Sequence, residues 1–419
     1  MRKSFVTSAM AIALVTFGGA LSAQSPAPAP VTAAPAPPRA GPPPPAALGD
    51  GPWDLTTQTG PVHVTLVTKG LDHPWGLAFT PDGSMLVTER PGRLRVIRKG
   101  VLDPAPITGV PAVEAVGIGG LFDIALHPKF AKNRLIYLAY AKPDPAVKGQ
   151  STLAVAQARW DGGTALADVK DIFVADAWYG AMPLPARCCG QGPASGSHGG
   201  RLAFDKKGYL YITSGDRNYG EKVQDPSNHF GKILRLYDNG AVPQDNPFVG
   251  KPGYKPEIYT LGHRNPLGLS FHPVTGELWE SEFGPRGGDE VNHIEAGKNY
   301  GWINVTQGAH YNAEPAKGVK NVPGMVDPVL TWAPSINPGN LIFYTGSKFP
   351  GWKGNMLMPT MTKSVVRETF DAKGQPIAQE LMLTELKQRF RDIRVGPDGF
   401  LYILTDETKG AVLRIEPGK

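Results

Sequence analysis

The chain has 419 residues and a formal net charge of +6, with 51 glycines, 42 prolines and a hydrophobic fraction of 41%. So much glycine and proline excludes a helical bundle, because both residues destabilise helix interiors, and the hydrophobic fraction is too high for a disordered chain. The positive charge is spread along the chain without a long run of lysine or arginine, so nucleic acid is not an expected partner. Two cysteines are too few for a disulfide scaffold or a cysteine-based zinc site.

Residues 1–23 have the pattern of a secretory signal peptide. Arg2 and Lys3 precede a short apolar run, and small residues follow it up to Ala20 and Ala23. The apolar run is too short to cross a bilayer, and no later segment approaches the length of a membrane span. We therefore expect cleavage after Ala20 or Ala23 and a periplasmic or secreted protein.

A spacer rich in proline and alanine follows at residues 24–49. Proline fixes φ and lacks a backbone donor, so this segment is expected to be extended, like polyproline, and to contribute nothing to a core. The folded body is therefore predicted to occupy residues 50–419.

One β-hairpin pattern recurs along the folded body. Each copy has a short apolar strand, a turn with proline, aspartate or glycine, and a second strand of alternating polarity. The copies lie at residues 77–90, 124–140, 202–217, 269–284, 341–370 and 393–407. A regular unit at irregular spacing predicts an all-β fold, a six-bladed β-propeller with variable loops. Ligands are then expected at one mouth of the central channel, on the loops.

Four polar segments are not explained by strand alternation. They contain His198, the run His263–Asn265, the glycine-rich loop 281–302, and Arg389 with Arg391. Guanidinium groups match carboxylates, and an imidazole beside arginine can stay neutral at pH 7 and act as a base. Arg389 and Arg391 are two residues apart, so on a strand both face the same side. The sequence GPRGGDE within the loop offers the oxygen ligands that Ca²⁺ prefers.

These segments resemble the soluble glucose dehydrogenase and aldose sugar dehydrogenase family, also called the glucose/sorbosone dehydrogenases. The combination of GHRNPLG, GPRGGDEVN and GKNYGW is specific, and further blocks extend the resemblance over nearly all of residues 60–416. The resemblance implies a six-bladed propeller that binds pyrroloquinoline quinone (PQQ) and Ca²⁺. It also implies oxidation of an aldose sugar at C1 to the lactone, with the electrons passed to an external acceptor.

The resemblance further implies roles for individual residues. His198 would be the general base that takes the C1 hydroxyl proton, and Arg264 would polarise the quinone oxygens. The other implied cofactor-binding residues are Asn265, Tyr311, Arg389 and Arg391. The implied Ca²⁺ ligands are the carbonyls of Gly284 and Pro285 beside the cofactor and, at a second structural site, Glu290 and the Tyr300 carbonyl.

Three positions differ from the usual pattern of that family. Ile118 stands where a glutamine is usual, Thr362 stands where a lysine is usual, and His198 lies three residues before Arg201 instead of four. Lys363 follows Thr362, and on a strand this shift would turn it to the opposite face. The first two differences mildly favour an alternative, a calcium-dependent propeller hydrolase of the lactonase type. A non-catalytic sugar-binding propeller is a third hypothesis, disfavoured by the retained arginines.

Cys188 and Cys189 are adjacent in a loop that precedes His198. The only intramolecular disulfide open to them joins neighbouring residues, which strains the bond. Two thiols without a catalytic part are the alternative.

Overall fold

The structure, a computed structural model, describes residues 46–184, 195–311 and 322–418. The predicted signal peptide, almost all of the predicted spacer, Cys188 and Cys189 lie outside the described residues. Within them the only α-helix is α1 (Phe130–Asn133), and short 3-10 helices lie at Gly220–Lys222, Pro350–Trp352 and Thr384–Leu386. No helix in the described part of the chain is both long enough and apolar enough to cross a membrane.

The strands of the described residues form six antiparallel sheets, which are the blades of a β-propeller. Blades one and two contain β3 (Pro74–Phe79), β4 (Met85–Glu89), β5 (Arg93–Arg98) and β6 (Val101–Leu102), then β7 (Leu121–Leu126), β8 (Leu135–Pro143), β9 (Ser151–Arg159) and β10 (Ala167–Val174). Blades three and four contain β11 (Gly199–Phe204), β12 (Leu210–Ser214), β13 (Lys232–Leu236) and β14 (Ile258–Leu261), then β15 (Pro266–Phe271), β16 (Leu278–Glu282), β17 (Asp289–Ile294) and β18 (Leu330–Trp332).

Blade five contains β19 (Ile342–Phe343), β20 (Met356–Thr360), β21 (Ser364–Phe370) and β22 (Pro376–Met382). Blade six contains β23 (Phe390–Val395), β24 (Leu401–Thr405) and β25 (Gly410–Pro417), and is completed by β2 (Gly60–Leu71) and β1 (Trp53–Thr57). Each repeated hairpin of the sequence supplies inner strands of one blade, so the predicted six-bladed propeller is confirmed.

Blade six closes the ring because strands from both ends of the folded body pair in it. In β2 and β25, Val64 lies opposite Ile415 in antiparallel register. The chain joins the fold earlier than the sequence predicts, since the Gln388 side chain donates a hydrogen bond to the Ala46 carbonyl at 2.7 Å and Leu48 packs against the blade's apolar core. Pairing of the two ends holds the ring together without a covalent link.

Apolar side chains fill the space between neighbouring blades. Between blades one and six, for example, Leu77 and Val87 pack in one buried cluster with Leu404 and Val412. Leu86, the neighbour of Val87 along β4, points to the opposite face and packs in another buried cluster with residues of blade two, so β4 presents apolar side chains to both neighbouring blades. Burial of one such side chain contributes about 1.5–3 kcal/mol.

The first strands of five blades line the central channel: β3, β7, β11 and β15 pack side by side in this order, and β23 packs beside β3. Because these strands run in the same direction, they all begin at one mouth of the channel. The second strands are antiparallel to them and end at that mouth. This end of the channel, where β3, β7, β11, β15 and β23 begin, is called the upper mouth below.

A network of buried charges fills the middle of the channel. Arg201 of β11 is 0% exposed and lies 3.2 Å from both Asp123 of β7 and Asp392 of β23. Arg394 lies 3.0 Å from the same two aspartates. Asp392 also accepts the Leu77 amide hydrogen of β3 at 3.0 Å, so the network joins the inner strands of four blades.

Replacement of Arg201 by methionine is expected to lower the free energy of unfolding by about 3–5 kcal/mol, because Asp123 and Asp392 stay buried with one partner fewer. The matched change at Arg159, whose pair with Asp168 is exposed, is expected to cost no more than about 1 kcal/mol. Urea denaturation measures both values, and similar losses for the two variants would show that the channel network does not stabilise the fold.

Candidate functional site

The upper mouth collects two kinds of loop. Segments that precede the first strands carry His198, Arg264, Asn265 and Arg389, and segments that follow the second strands carry Asp216 and Asp406. Fold topology alone therefore brings these polar residues to the same mouth, although they are far apart along the chain.

His198 precedes β11 in a loop that depends on glycine. Gly200 has φ +99°, and a Cβ there would lie 2.8 Å from the Phe122 ring. The His198 ring packs against Phe122 at 5.2 Å between centroids and is 4% exposed. Neither of its ring nitrogens has a hydrogen-bond partner among the described residues. Burial, and then the positive charge of Arg217, lower the pKa of His198 well below its ordinary value, so the imidazole is neutral and can accept a proton.

Arg264 and Asn265 lie beside the His198 loop. The Asn265 side-chain oxygen accepts the Gly199 amide hydrogen at 3.2 Å. The Arg264 guanidinium donates to the Tyr311 hydroxyl at 3.2 Å and to the Gly284 carbonyl at 2.8 Å. Arg264 is almost fully buried, whereas Tyr311 is partly open to solvent. The structure thus brings the predicted residues His198, Arg264, Asn265 and Tyr311 into one contiguous group.

Arg389 and Arg391 form a second cationic group, held by one carboxylate. Asp406, which follows β24, accepts hydrogen bonds from Arg389 at 2.9 Å and from Arg391 at 2.8 Å. Burial alone raises the pKa of Asp406, but the charges of Arg391 and Arg389 and a contact with His73 hold it well below its usual range. The carboxylate therefore stays ionised and keeps both arginines in place.

The rings of Trp75 and Phe122, called the aromatic floor here, connect the two groups. The Arg391 guanidinium lies 5.8 Å from the Trp75 ring, and Trp75 packs against Phe122 at 5.6 Å. Phe122 in turn contacts His198. The imidazole and the arginine pair therefore stand on one apolar surface, with Arg201 beneath Trp75 at 4.1 Å. A flat ligand with carboxylates could lie on this floor, with its anionic groups toward the arginines.

The loop that carries Gly284 and Pro285 is held by a buried carboxylate. Asp289 accepts hydrogen bonds from the Gly284 amide at 2.9 Å, the Ile336 amide at 2.7 Å and the Asn337 amide at 2.8 Å. Gly284 accepts from Arg264 in this arrangement, but a carbonyl oxygen has a second lone pair. The loop can therefore supply carbonyl ligands to Ca²⁺ next to Arg264.

Glu290 and Tyr300, the second implied metal site, lie next to other acidic groups of blade four. Glu290 of β17 lies opposite Glu282 of β16, and the Tyr300 ring stacks on His263 at 4.9 Å. Burial and the negative charge of Glu282 raise the pKa of Glu290 well above its usual value. The same two causes raise the pKa of Glu280.

Two of the three positions that differ from the family pattern are exposed. Ile118 is exposed in the segment beside His198, where a Cβ on Gly119 would come within 3.4 Å of the His198 ring. Thr362 and Lys363 lie in the turn between β20 and β21, not on a strand. Strand alternation therefore does not apply to Lys363, so the prediction's premise was wrong. In the same turn, the Met361 carbonyl accepts a hydrogen bond from Arg389 at 3.5 Å.

Sequence reasoning missed the residues that support the site. Asp216 follows β12 and accepts a hydrogen bond from the Trp302 indole at 2.7 Å, and the Arg264 guanidinium lies 5.5 Å from that Trp302 ring. Asp406 and Glu282 occupy the corresponding ends of β24 and β16. Their common signal is an acidic residue at or just after the end of a blade's second strand, which a propeller places at the upper mouth.

The protein is a propeller whose upper mouth holds a buried imidazole and two arginine groups. Similarity to known proteins identifies its family. Residues 71–414 match the Glucose / Sorbosone dehydrogenase family model. The chain is 40% identical over 364 residues to the aldose sugar dehydrogenase YliI of Escherichia coli, covering 85% of this chain and 93% of that protein. The chain therefore belongs to the glucose/sorbosone dehydrogenase family, a family of oxidoreductases.

Solved structures agree with this assignment. The apo-form of the soluble aldose sugar dehydrogenase from Escherichia coli is similar with a TM-score of 0.77 and 38% identity, over 85% of this chain and 100% of that one. The PQQ-bound form of aldose sugar dehydrogenase from Streptomyces coelicolor is similar with a TM-score of 0.66 and 25% identity, over 88% of this chain and 99% of that one.

The His198 imidazole is expected to stay neutral as the pH falls through its ordinary pKa of 6.5. Since folding disfavours its protonation, His198 lowers the stability of the folded state as the pH falls below that value. NMR of histidine-labelled protein follows the titration. Arg217→Gln should raise the His198 pKa relative to Arg217→Lys, which keeps the charge. A titration midpoint at or above 6.5 in the unsubstituted protein would contradict this expectation.

Proposed function

We propose that this protein is a PQQ- and Ca²⁺-dependent sugar dehydrogenase that oxidises an aldose at C1 to the lactone. The observation that carries the proposal is the buried, neutral imidazole of His198, with both ring nitrogens unpartnered among the described residues, beside Arg264 and Asn265. Family membership and the PQQ-bound relative from Streptomyces coelicolor support it.

His198 is suited to take the proton of the sugar C1 hydroxyl. Its lowered pKa keeps it unprotonated at neutral pH, and its burial keeps water from competing for the ring nitrogens. Loss of that proton pushes electron density toward C1 and favours departure of the C1 hydrogen as hydride. When bound, PQQ supplies a quinone that takes up this hydride and so receives the two electrons that the sugar loses.

The arginine groups are suited to hold and polarise the cofactor. Arg391 has a buried Nε without a hydrogen-bond partner among the described residues, and the Arg389 side chain is 39% exposed toward the mouth. Both can donate to carboxylates while Asp406 keeps their position. Arg264 lies near Asn265 and the Gly284 carbonyl, where it can polarise a quinone oxygen. Gly284 and Pro285 would hold the Ca²⁺.

The remaining parts of the proposal concern the surroundings of the reaction. We infer that the electrons leave to an external acceptor, as the resemblance to the glucose/sorbosone dehydrogenases implies. We also infer that the enzyme acts in the periplasm or outside the cell, which the signal-peptide pattern of residues 1–23 supports. N-terminal sequencing of protein from the periplasmic fraction measures cleavage directly.

Purified protein supplied with PQQ and Ca²⁺ is expected to reduce an electron-accepting dye when an aldose is added, and to lose this activity after EDTA treatment without added Ca²⁺. His198→Ala is expected to abolish turnover but to retain PQQ binding, because it removes the base and leaves Arg264, Arg389 and Arg391 in place to hold the cofactor. Dye absorbance measures turnover across a panel of aldoses, and PQQ absorbance on titration measures binding.

His63→Ala is the matched control, because His63 lies on the outer strand β2 and is partly exposed. It should behave like the unsubstituted protein. Absence of PQQ binding in the unsubstituted protein would reject the proposed dehydrogenase activity. Calcium-dependent lactone hydrolysis without PQQ would then identify the hydrolase alternative, and sugar binding without turnover would identify the non-catalytic one.

A further inference from the structure

Blade four contains a buried acidic group that the proposed reaction does not use. Glu280 and Glu282 lie on β16 and are 0% and 3% exposed, and His263 is 0% exposed. One carboxylate oxygen of each glutamate and one ring nitrogen of His263 lie within 4.8 Å of one another. Ligands about 2.0–2.6 Å from one cation lie within about 5 Å of each other, so the three side chains can share an ion.

The negative charge of this group is not balanced by the protein around it. Among the ion pairs of the described residues, Glu282 has only a long contact with His263, 3.5 Å from Oε1 to Nδ1, and Glu280 has none. The Asn292 side-chain amide donates to Glu280 at 3.0 Å and to Glu282 at 3.4 Å. Buried carboxylates without a positive partner are strongly disfavoured, and a divalent cation would balance two of them.

Two potential ligand atoms of the group are unsatisfied. Glu280 Oε1 and His263 Nδ1 are buried and have no hydrogen-bond partner in the described part of the chain. The other ring nitrogen of His263 lies 2.8 Å from the Thr260 hydroxyl. That contact fixes the ring with Nδ1 toward Glu282, as outer partners of metal-binding histidines do.

Glu282 also connects this group to the upper mouth. Its Oε2 accepts the backbone amide hydrogens of Arg264 and Asn265, the latter at 3.2 Å, whereas its Oε1 faces His263 and Asn292. A cation bound at Oε1 would fix the carboxylate and with it the two backbone amides. We propose that Glu280, Glu282 and His263 bind a divalent cation. We also propose that, through Glu282, binding of this cation fixes the backbone amides of Arg264 and Asn265.

The family resemblance implies a structural Ca²⁺ at Glu290 and Tyr300, which adjoin this group. In the proposed site, Glu280, Glu282 and His263 are further cation ligands. Glu282 connects the cation to Arg264 and Asn265, which face the cofactor. Carboxylates suit Ca²⁺ and Mn²⁺, and imidazole suits Zn²⁺ and other transition metals, so all three ions are used as probes. The effect on cofactor binding rests on the proposed function, but the cation site does not.

The first experiment counts cations without PQQ. Protein dialysed against each ion in turn is analysed for bound metal by mass spectrometry and for melting temperature before and after chelation. Glu280→Gln keeps the side-chain shape but removes one charge, and is expected to bind one equivalent less, or the same ion at least about tenfold more weakly. Chelation should also lower its melting temperature less than it lowers that of the unsubstituted protein.

Glu368→Gln is the matched control, since Glu368 lies in blade five, is 2% exposed and accepts a hydrogen bond from the Gln379 amide at 3.1 Å. It should bind the same cations as the unsubstituted protein. The cation site is rejected if Glu280→Gln and Glu368→Gln bind all three ions with the same stoichiometry and affinity.

A second experiment tests transmission to the upper mouth. Cation addition is expected to slow hydrogen exchange of the amides of Arg264 and Asn265 in the unsubstituted protein, measured by mass spectrometry of peptides that cover them. In Glu282→Gln this protection should be lost. If the cation binds and exchange at these amides does not change, transmission is rejected. Neither result depends on PQQ, so failure here is distinct from failure of the proposed dehydrogenase activity.

Discussion

Mutual neutralisation of two arginines and two aspartates in the central channel is the interaction on which the rest of the structure depends. Arg201, Arg394, Asp123 and Asp392 come from three different blades, and Asp392 binds the backbone of a fourth. Arg201 and Asp123 are compensated only when these blades are correctly placed, so the network favours one ring geometry over others. The apolar contacts between blades supply most of the stabilisation but are less directional.

Because the inner strands are held in place, the positions where they begin determine the geometry of the upper mouth. The reactive side chains lie on loops, but carboxylates at the ends of neighbouring strands hold them. Asp406 holds Arg389 and Arg391, and Glu282 binds the backbone of Arg264. Such anchors limit the motion of each loop residue, which is what positions a base or a cationic group accurately enough to act.

The sequence predicts the architecture well because each blade repeats a local signal, a hairpin with turn residues between alternating strands. It predicts the site less directly. His198 and Arg264 can be assigned roles only through the family resemblance, and the position of Asp216 and Asp406 after second strands does not tell which side chains they contact. Those contacts join distant segments and exist only once the ring has closed. The wrong premise about Lys363 has a local cause, because Lys363 lies in a turn, where strand alternation does not apply.

Buried carboxylates at this end of the molecule differ in how their charge is compensated: some are paired with arginines, and others would need a metal ion. Asp406 is fully surrounded by the fold, yet its pKa is lowered because Arg391 and Arg389 lie beside it. Glu280 is equally buried, and its pKa is raised first by that burial and then by the negative charge of Glu282. The carboxylate on the arginine side is therefore compensated by protein atoms alone, and one of the two arginine charges remains for an anionic ligand. The carboxylates of blade four are not compensated in this way, so cation dependence should concentrate there and at the Gly284–Pro285 loop. Because Glu282 also binds the amide of Arg264, a loss of cation from blade four would reach the cofactor side through one carboxylate instead of through general loosening of the propeller.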